Sequence, residues 1–219
     1  MKKIMFNDKF GLTQAVLDGR KTMTRRIIEI DEYVRFPIIR FRPLENWEKK
    51  VVNPNYVFNG HVYAVYNELD LLCHLVKPRY EIGEVVAIAQ SYKDSGYSPD
   101  SLDRHPKDLS IRGLMKDSAG WNNKMFVKSY ACRHHIKIVN VKIERLQDIS
   151  DEDCLKEGII HAYTDNNGTK IYHTPHTKRG YLSTDVAQEA FAALIDKVSG
   201  KGTWESNPFV FAYEFVLVD

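Results

Sequence analysis

The densest chemistry in this 219-residue chain lies between Gly19 and Arg26, where Arg20, Lys21, Arg25 and Arg26 surround the hydroxyls of Thr22 and Thr24. Arginine offers a phosphate a bidentate fork, lysine a compact charge and threonine a neutral donor, so the run is suited to holding phosphates. A solvated strand edge, where Lys and Arg deter pairing with other chains, has the same composition. Spacing adds a condition. Three steps along a regular strand invert a side chain, so Lys21 and Thr24 share a site only if the turn after Gly19 continues through Lys21.

Other reactive residue types form weaker patterns. His134 and His135 are adjacent in an expected strand and face opposite ways, while His173 and His176 flank Pro175 in a loop. Neither pair presents two ligands as histidines one helical turn apart do, and no metal or other cofactor is expected. Cys132 and Cys154 lack an activating neighbour and read as small buried hydrophobes. Trp47, Trp121 and Trp204 offer stacking surfaces, although large aromatics more often fill a core.

These residues need elements to position them. A first helix is predicted from a cap at Asn7 or Asp8, through Leu12, Ala15 and Val16, to Gly19, and the basic run then leads into a strand at Ile27 and Ile28. The runs on either side of Asn59-Gly60, from Tyr56 to Tyr66, predict a hairpin. Further strands are expected at Val85 to Ala89, Ile136 to Ile143 and Phe209 to Val218. Ser150-Asp-Glu-Asp153 is a capping box for a helix of about two turns that Gly158 ends. A longer helix should run from a cap at Asp185 to Val198, with Val186, Ala190, Phe191, Leu194 and Val198 on one face. Residues 93–123 and 160–183 show little periodicity and read as excursions from the core. Strands spread through the chain, with helices at irregular intervals, imply an α+β fold around a mixed or antiparallel barrel. The helices would cover its open ends. No glycine-rich phosphate loop follows a strand to support a doubly wound sheet.

Composition narrows the role. Hydrophobic residues make up 43% and charged residues 27%, as in a globular chain, and Lys plus Arg exceeds Asp plus Glu by only 31 to 29. A net charge of +2 excludes binding by bulk positive charge, so any nucleic-acid role rests on a local patch. Cys73, Cys132 and Cys154 fit no disulfide framework, and the opening residues lack the apolar run of a signal sequence. No stretch reaches the length of a membrane span. A soluble protein of the reducing cytoplasm, without a membrane partner, is the expectation.

The basic run, read as Leu17-Asp-Gly-Arg-Lys-Thr-Met-Thr-Arg-Arg26, resembles the signature of the ASCH domain family, a PUA-like β-barrel group associated with RNA. Pro78-Arg-Tyr-Glu-Ile-Gly-Glu-Val85 is similar to the family's glycine-acidic strand entry. The likeness continues through Asn123 to Lys128, Arg133, Val141 to Ser150, Glu157-Gly-Ile159 and Trp204 to Phe209. In extent the chain resembles the larger ASCH proteins carried by phages and mobile elements, over all but the two excursions. It departs after Val86, where Ala89-Gln90-Ser91-Tyr92 lacks the family's carboxylate at position 90.

The resemblance implies a single PUA-like α+β domain over residues 1–219 whose pocket binds RNA or a modified nucleoside. Its contacts would come from Arg20, Thr22, Arg25, Arg26, Lys128 and Arg133. It also points to small ASCH amidohydrolases that remove acetyl from N4-acetylcytidine with a Lys, a Thr and a Glu, which by position fall on Lys21, Thr24 and Glu157. In that reading Lys21 takes a proton from Thr24 or water, Thr24 attacks or positions the attack, and Glu157 serves the leaving amine. Arg25 or Arg26 would hold phosphate or the oxyanion. The last helical turn raises a carboxyl pKa, as suits an acid at Glu157, and Lys21 nearby opposes that shift. RNA or nucleoside binding is the first reading, the amidohydrolase the alternative, and a non-catalytic interaction module the third.

Overall fold

The structure, a computed structural model, describes residues 1–30, 38–45, 47–48, 60–96, 121–175 and 180–218. Among these, the strands in chain order are β1 (Lys3–Ile4), β2 (Met23–Ile27), β3 (Ile38–Pro43), β4 (Tyr63–Asn67), β5 (Leu72–Val76), β6 (Val85–Ile88), β7 (His135–Arg145), β8 (Ile160–Thr164), β9 (Lys170–His173), β10 (Ser183–Thr184) and β11 (Phe209–Leu217). The helices are α1 (Leu12–Leu17), α2 (Tyr92–Ser95), α3 (Asp151–Lys156), α4 (Ala187–Ser199) and α5 (Thr203–Ser206). The α+β class expected from the sequence is what the chain adopts.

The strands form a five-stranded sheet in the order β1-β6-β7-β11-β2, and two three-stranded sheets, β10-β9-β8 and β3-β4-β5. Among the described residues these sheets do not close into a barrel. In the large sheet only β1 and β6 run parallel. β11 lies between β7 and β2, pairing Phe211 with Ile143 on one side and with Arg26 on the other. Its residues alternate in sequence, which predicts one covered face, yet Val210 to Tyr213 and Phe215 are all buried. The reason is that both faces are covered. Phe41, Tyr63, Tyr80 and Phe6 meet Phe209, Phe211, Tyr213 and Phe215 from one side. On the other face lie α3 and α4, with Cys154, Phe191 and Leu194 in the same core.

Several local expectations meet their counterparts. Asn7 caps a 3-10 turn, Asp8–Phe10, and left-handed Gly11 (φ 63°) separates it from α1, so the predicted first helix is two pieces. Ser150 Oγ accepts from the Asp153 backbone N–H, which makes α3 the capped two-turn helix expected. α4 starts one residue later than predicted, with Val186 in the cap position and no side-chain cap bond. Thr184 takes over that work, accepting from the Val186 N–H and donating to Glu189.

Residues 160–183, expected as a loop, contain a hairpin. β8 and β9 pair antiparallel around a turn in which Asp165 Oδ1 accepts from the backbone of Asn167 and Thr169, with Gly168 at φ 84°. Short β-favouring runs on either side of one turn escape a search for longer periodicity. Of the hairpin predicted around Asn59-Gly60, the Tyr63 to Tyr66 arm is a strand, flanked by β3 and β5. Its Tyr56 to Asn59 arm lies outside the described residues, as do residues 97–120 of the other excursion.

Candidate functional site

The turn after Gly19 (φ 71°) does continue through Lys21. Its backbone N–H donates to the Ala15 carbonyl at 2.8 Å, and the strand starts only at Met23. The Thr22 N–H donates to Lys156 O at 2.9 Å, which fixes the end of α3 beside this turn. Glu157 caps the end of α3 in helical conformation, left-handed Gly158 (φ 104°) turns the chain away after it, and the Glu157 carboxylate meets Lys21.

Lys21 is 2% exposed and Glu157 5%. Lys21 Nζ donates to Glu157 Oε2 at 2.5 Å, to Glu157 O at 2.8 Å and to Met23 O at 2.7 Å. An ammonium has three donors, so all of them are used inside the protein. Burial lowers the Lys21 pKa, against the pull of the Glu157 carboxylate.

Arg25 joins the same carboxylate from the strand. Its Nη1 donates to Glu157 Oε1 at 3.2 Å, Nη2 to Asp153 Oδ2 at 3.0 Å, and Nε and Nη2 to Glu144 Oε1 at 2.9 and 2.5 Å. Lys142 completes the group on Asp153 and Glu144, at 2.7 and 2.9 Å. Lys21, Arg25 and Lys142 thus balance Glu144, Asp153 and Glu157. Burial opposes the Asp153 charge, yet hydrogen bonds and charge from Lys142 and Arg25 prevail and hold its carboxyl below the usual range. The register explains the grouping: Arg25, Ala212 and Lys142 lie side by side across three strands and share the face that α3 covers.

Thr24 points the other way. It pairs with Tyr213 and shares its face with Arg26 and Phe211. The side chain is 5% exposed, and among the described residues its hydroxyl makes no hydrogen bond. The structure therefore brings Lys21, Glu157 and Arg25 into one ion-pair group and sets Thr24 beside it on the opposite face of β2.

A half-open cleft of about 870 Å³ runs along β2, bordered by Arg25 to Ile27 of that strand and by Ile195 and Ser199 of α4. Lys3, Arg25, Arg26, Lys77 and Arg79 line it, and Tyr80, Phe211 and Tyr213 lie behind its floor, almost wholly buried. Glu29 is the one carboxylate among the described lining residues. Tyr80 and Tyr213 meet edge to face at 5.3 Å, and Tyr213 donates no charge here because burial pushes its phenol up to about 12. Arg26 Nη2 donates to Met5 O at 2.7 Å, which aims the guanidinium along the cleft wall and leaves it further donors.

The remaining predicted contacts are dispersed. Arg20 is exposed and pairs with Asp18 at 2.9 Å, and Thr22 is half-buried in backbone bonds to Lys156 and Phe215. Lys128 is exposed on the loop beside the cleft. Arg133 is also exposed, but its Nε donates to Ser95 O at 3.2 Å and its backbone N–H to Gln90 Oε1 at 2.5 Å. Gln90, where the expected carboxylate is missing, is a buried acceptor for that backbone. Sequence reading missed Asp153, Glu144 and Lys142 as members of the ion-pair group, and Lys3, Lys77, Arg79 and Tyr80 as cleft residues. The Lys142-Ile-Glu144 alternation was a usable signal, since two charges on one face of a strand need partners when that face is covered.

Among the described residues no set of three or more His, Cys, Asp or Glu side chains is placed to hold a metal ion, and no helix is long and apolar enough to cross a membrane. No protein-family model matches the chain, and comparison with curated proteins and with solved structures finds no significant match.

Proposed function

We propose that this chain is a PUA-like, ASCH-type protein that binds RNA or a modified nucleoside in the cleft beside β2. The observation that carries this reading is the cleft's makeup: five cationic side chains, Lys3, Arg25, Arg26, Lys77 and Arg79, against the single carboxylate of Glu29, with the apolar side chains of Met5, Leu75 and Met125 also lining it. Phosphates are held by guanidinium forks, and bases or nucleosides by aromatic and apolar surface. Arg26 and Arg79 are the residues assigned to phosphate. Arg25, with its donors committed to Glu144, Asp153 and Glu157, is assigned to support of the strand instead.

Salt titration tests this. Binding of a short single-stranded RNA should weaken as salt rises, and Arg26→Ala or Arg79→Ala should each lower both affinity and the steepness of that dependence, the latter by about 1 or slightly less. Affinity that is independent of salt would remove the phosphate assignment.

A second reading, deacylation of an N4-acetylcytidine-type nucleoside, draws support from the enclosed Lys21–Glu157 pair and from a Thr24 hydroxyl that makes no hydrogen bond among the described residues, although Thr24 lies on the other face of β2. For Lys21 to accept the Thr24 proton, the ammonium must first lose one of its own, give up one of its three bonds and be brought to Thr24's face of β2; the lowered pKa favours the first of these. Incubation with N4-acetylcytidine decides it. Cytidine release by the wild type that Thr24→Val abolishes is the result required, and no release ends this reading.

A further inference from the structure

The loop from Asn123 to Ala131 borders the cleft, and two buried or half-buried lysines fix its shape. Lys3 Nζ donates to the carbonyls of Lys124, Met125 and Val127 at 3.0, 2.9 and 2.5 Å. Lys124 Nζ reaches in the opposite direction, to Asp8 Oδ1 at 2.5 Å and Thr13 Oγ1 at 3.0 Å. Asn123 Oδ1 accepts from the Met125 N–H at 2.7 Å, and Val127 is buried in a small core with Tyr92, Ala131 and Cys132.

Between the two buried anchors, Lys124 and Val127, the loop displays Met125 and Phe126, which are 63% and 65% exposed. Met125 also lines the cleft. A flexible loop would fold a phenylalanine and a methionine against the body of the protein; this one is bonded so that they stand out. Lys128, next along, is exposed and close enough to Lys3 to oppose its charge. The neighbourhood is therefore a rigid apolar ledge beside positive charge, continuous with a cationic cleft.

We infer that Phe126, backed by Met125, is a stacking platform for an unpaired base, and that the occupant of the cleft is a single-stranded nucleic acid several nucleotides long. This rests on the binding reading above and extends it from a nucleoside to a strand. A cleft of about 870 Å³ is already near the top of the roughly 300–1,000 Å³ range of small-molecule sites, and the ledge lies at its rim. The charge is complementary to a phosphate backbone, and an exposed ring serves a base only when that base is not paired in a duplex. Holding the ring outward before binding spares the ordering cost that a mobile loop would incur. Lys3 contributes charge and loop shape, since its three donors are occupied.

The test is fluorescence anisotropy with the full chain, using an eight-nucleotide RNA, the corresponding DNA, an abasic eight-mer of equal charge, and a mononucleotide as competitor. The eight-mer RNA or DNA should bind more tightly than the mononucleotide, and Phe126→Ala should weaken it by roughly 5- to 150-fold, the worth of one stacked base. The abasic strand should bind wild type and Phe126→Ala alike. The RNA and DNA arms separate the two sources of strand. Equal eight-mer affinity for wild type and Phe126→Ala, or an abasic strand that binds wild type as well as the normal one, would overturn the platform while leaving the binding reading intact. Binding of no oligonucleotide and no nucleotide would overturn both. Phe126 is exposed, so its removal leaves the fold in place, and circular dichroism of the variant checks this.

Discussion

Lys21 decides how the basic run is read. From its neighbours in sequence it is one of four cations facing a ligand, whereas in the fold it is an internal strut between a strand carbonyl, a helix end and a carboxylate. Removing one member of a buried pair leaves the other charged and unsolvated. Glu157→Gln should therefore cost about 3–5 kcal/mol, read from urea denaturation midpoints, while Lys21→Met with Glu157→Leu should lie much closer to wild type. A Glu157→Gln variant as stable as wild type would show that the pair carries no such role. Residue identity made the meeting of Lys21 and Glu157 legible only through the family resemblance. Nothing in the spacing of residues 21 and 157 predicts that they touch. The third member of that expectation, Thr24, was placed by alternation instead: one step along β2 from Arg25 puts it on the other face.

The element that carries most of the site is α3. Its capping box was readable because Ser150 and Asp153 stand at the required spacing, yet Asp153 does more than cap. Its carboxylate ties the helix to β2 through Arg25 and to β7 through Lys142. Because its folded pKa lies below the ordinary aspartate value, this contribution is complete above that value and is lost as pH falls through the folded one. Stability should thus drop on acidification below about pH 4, and Asp153→Asn should start lower and lose that part of the acid dependence. Thermal unfolding followed from pH 7 to pH 2 checks both. The β8–β9 hairpin shows the reverse limit of sequence reading. Its strands are four and five residues long, too short for a period to stand out from a Gly- and Asn-rich background, although Asp165 and Gly168 mark the turn.

At the scale of the molecule, the near-zero charge balance conceals an uneven distribution. Three cations and three carboxylates cancel beneath α3, while the cleft along β2, which Arg25 also borders, keeps an excess of positive charge from Lys3, Arg26, Lys77 and Arg79 over Glu29. Composition alone reports only the sum. The α+β class was legible because strand and helix patterns are local. The division into three sheets was not, since β2 finds its partner almost two hundred residues away, where Thr24 meets Tyr213. The enclosure of Lys21 has a use outside function. An acylating reagent needs a free amine, and Lys21 exposes none until the end of α3 lifts from β2. Each 1.4 kcal/mol needed for that opening slows labelling tenfold, so Lys21 should react on the order of 100-fold or more slowly than exposed Lys137, as peptide mass spectrometry would record. That single amine is a built-in clock for the opening of the helix that covers it.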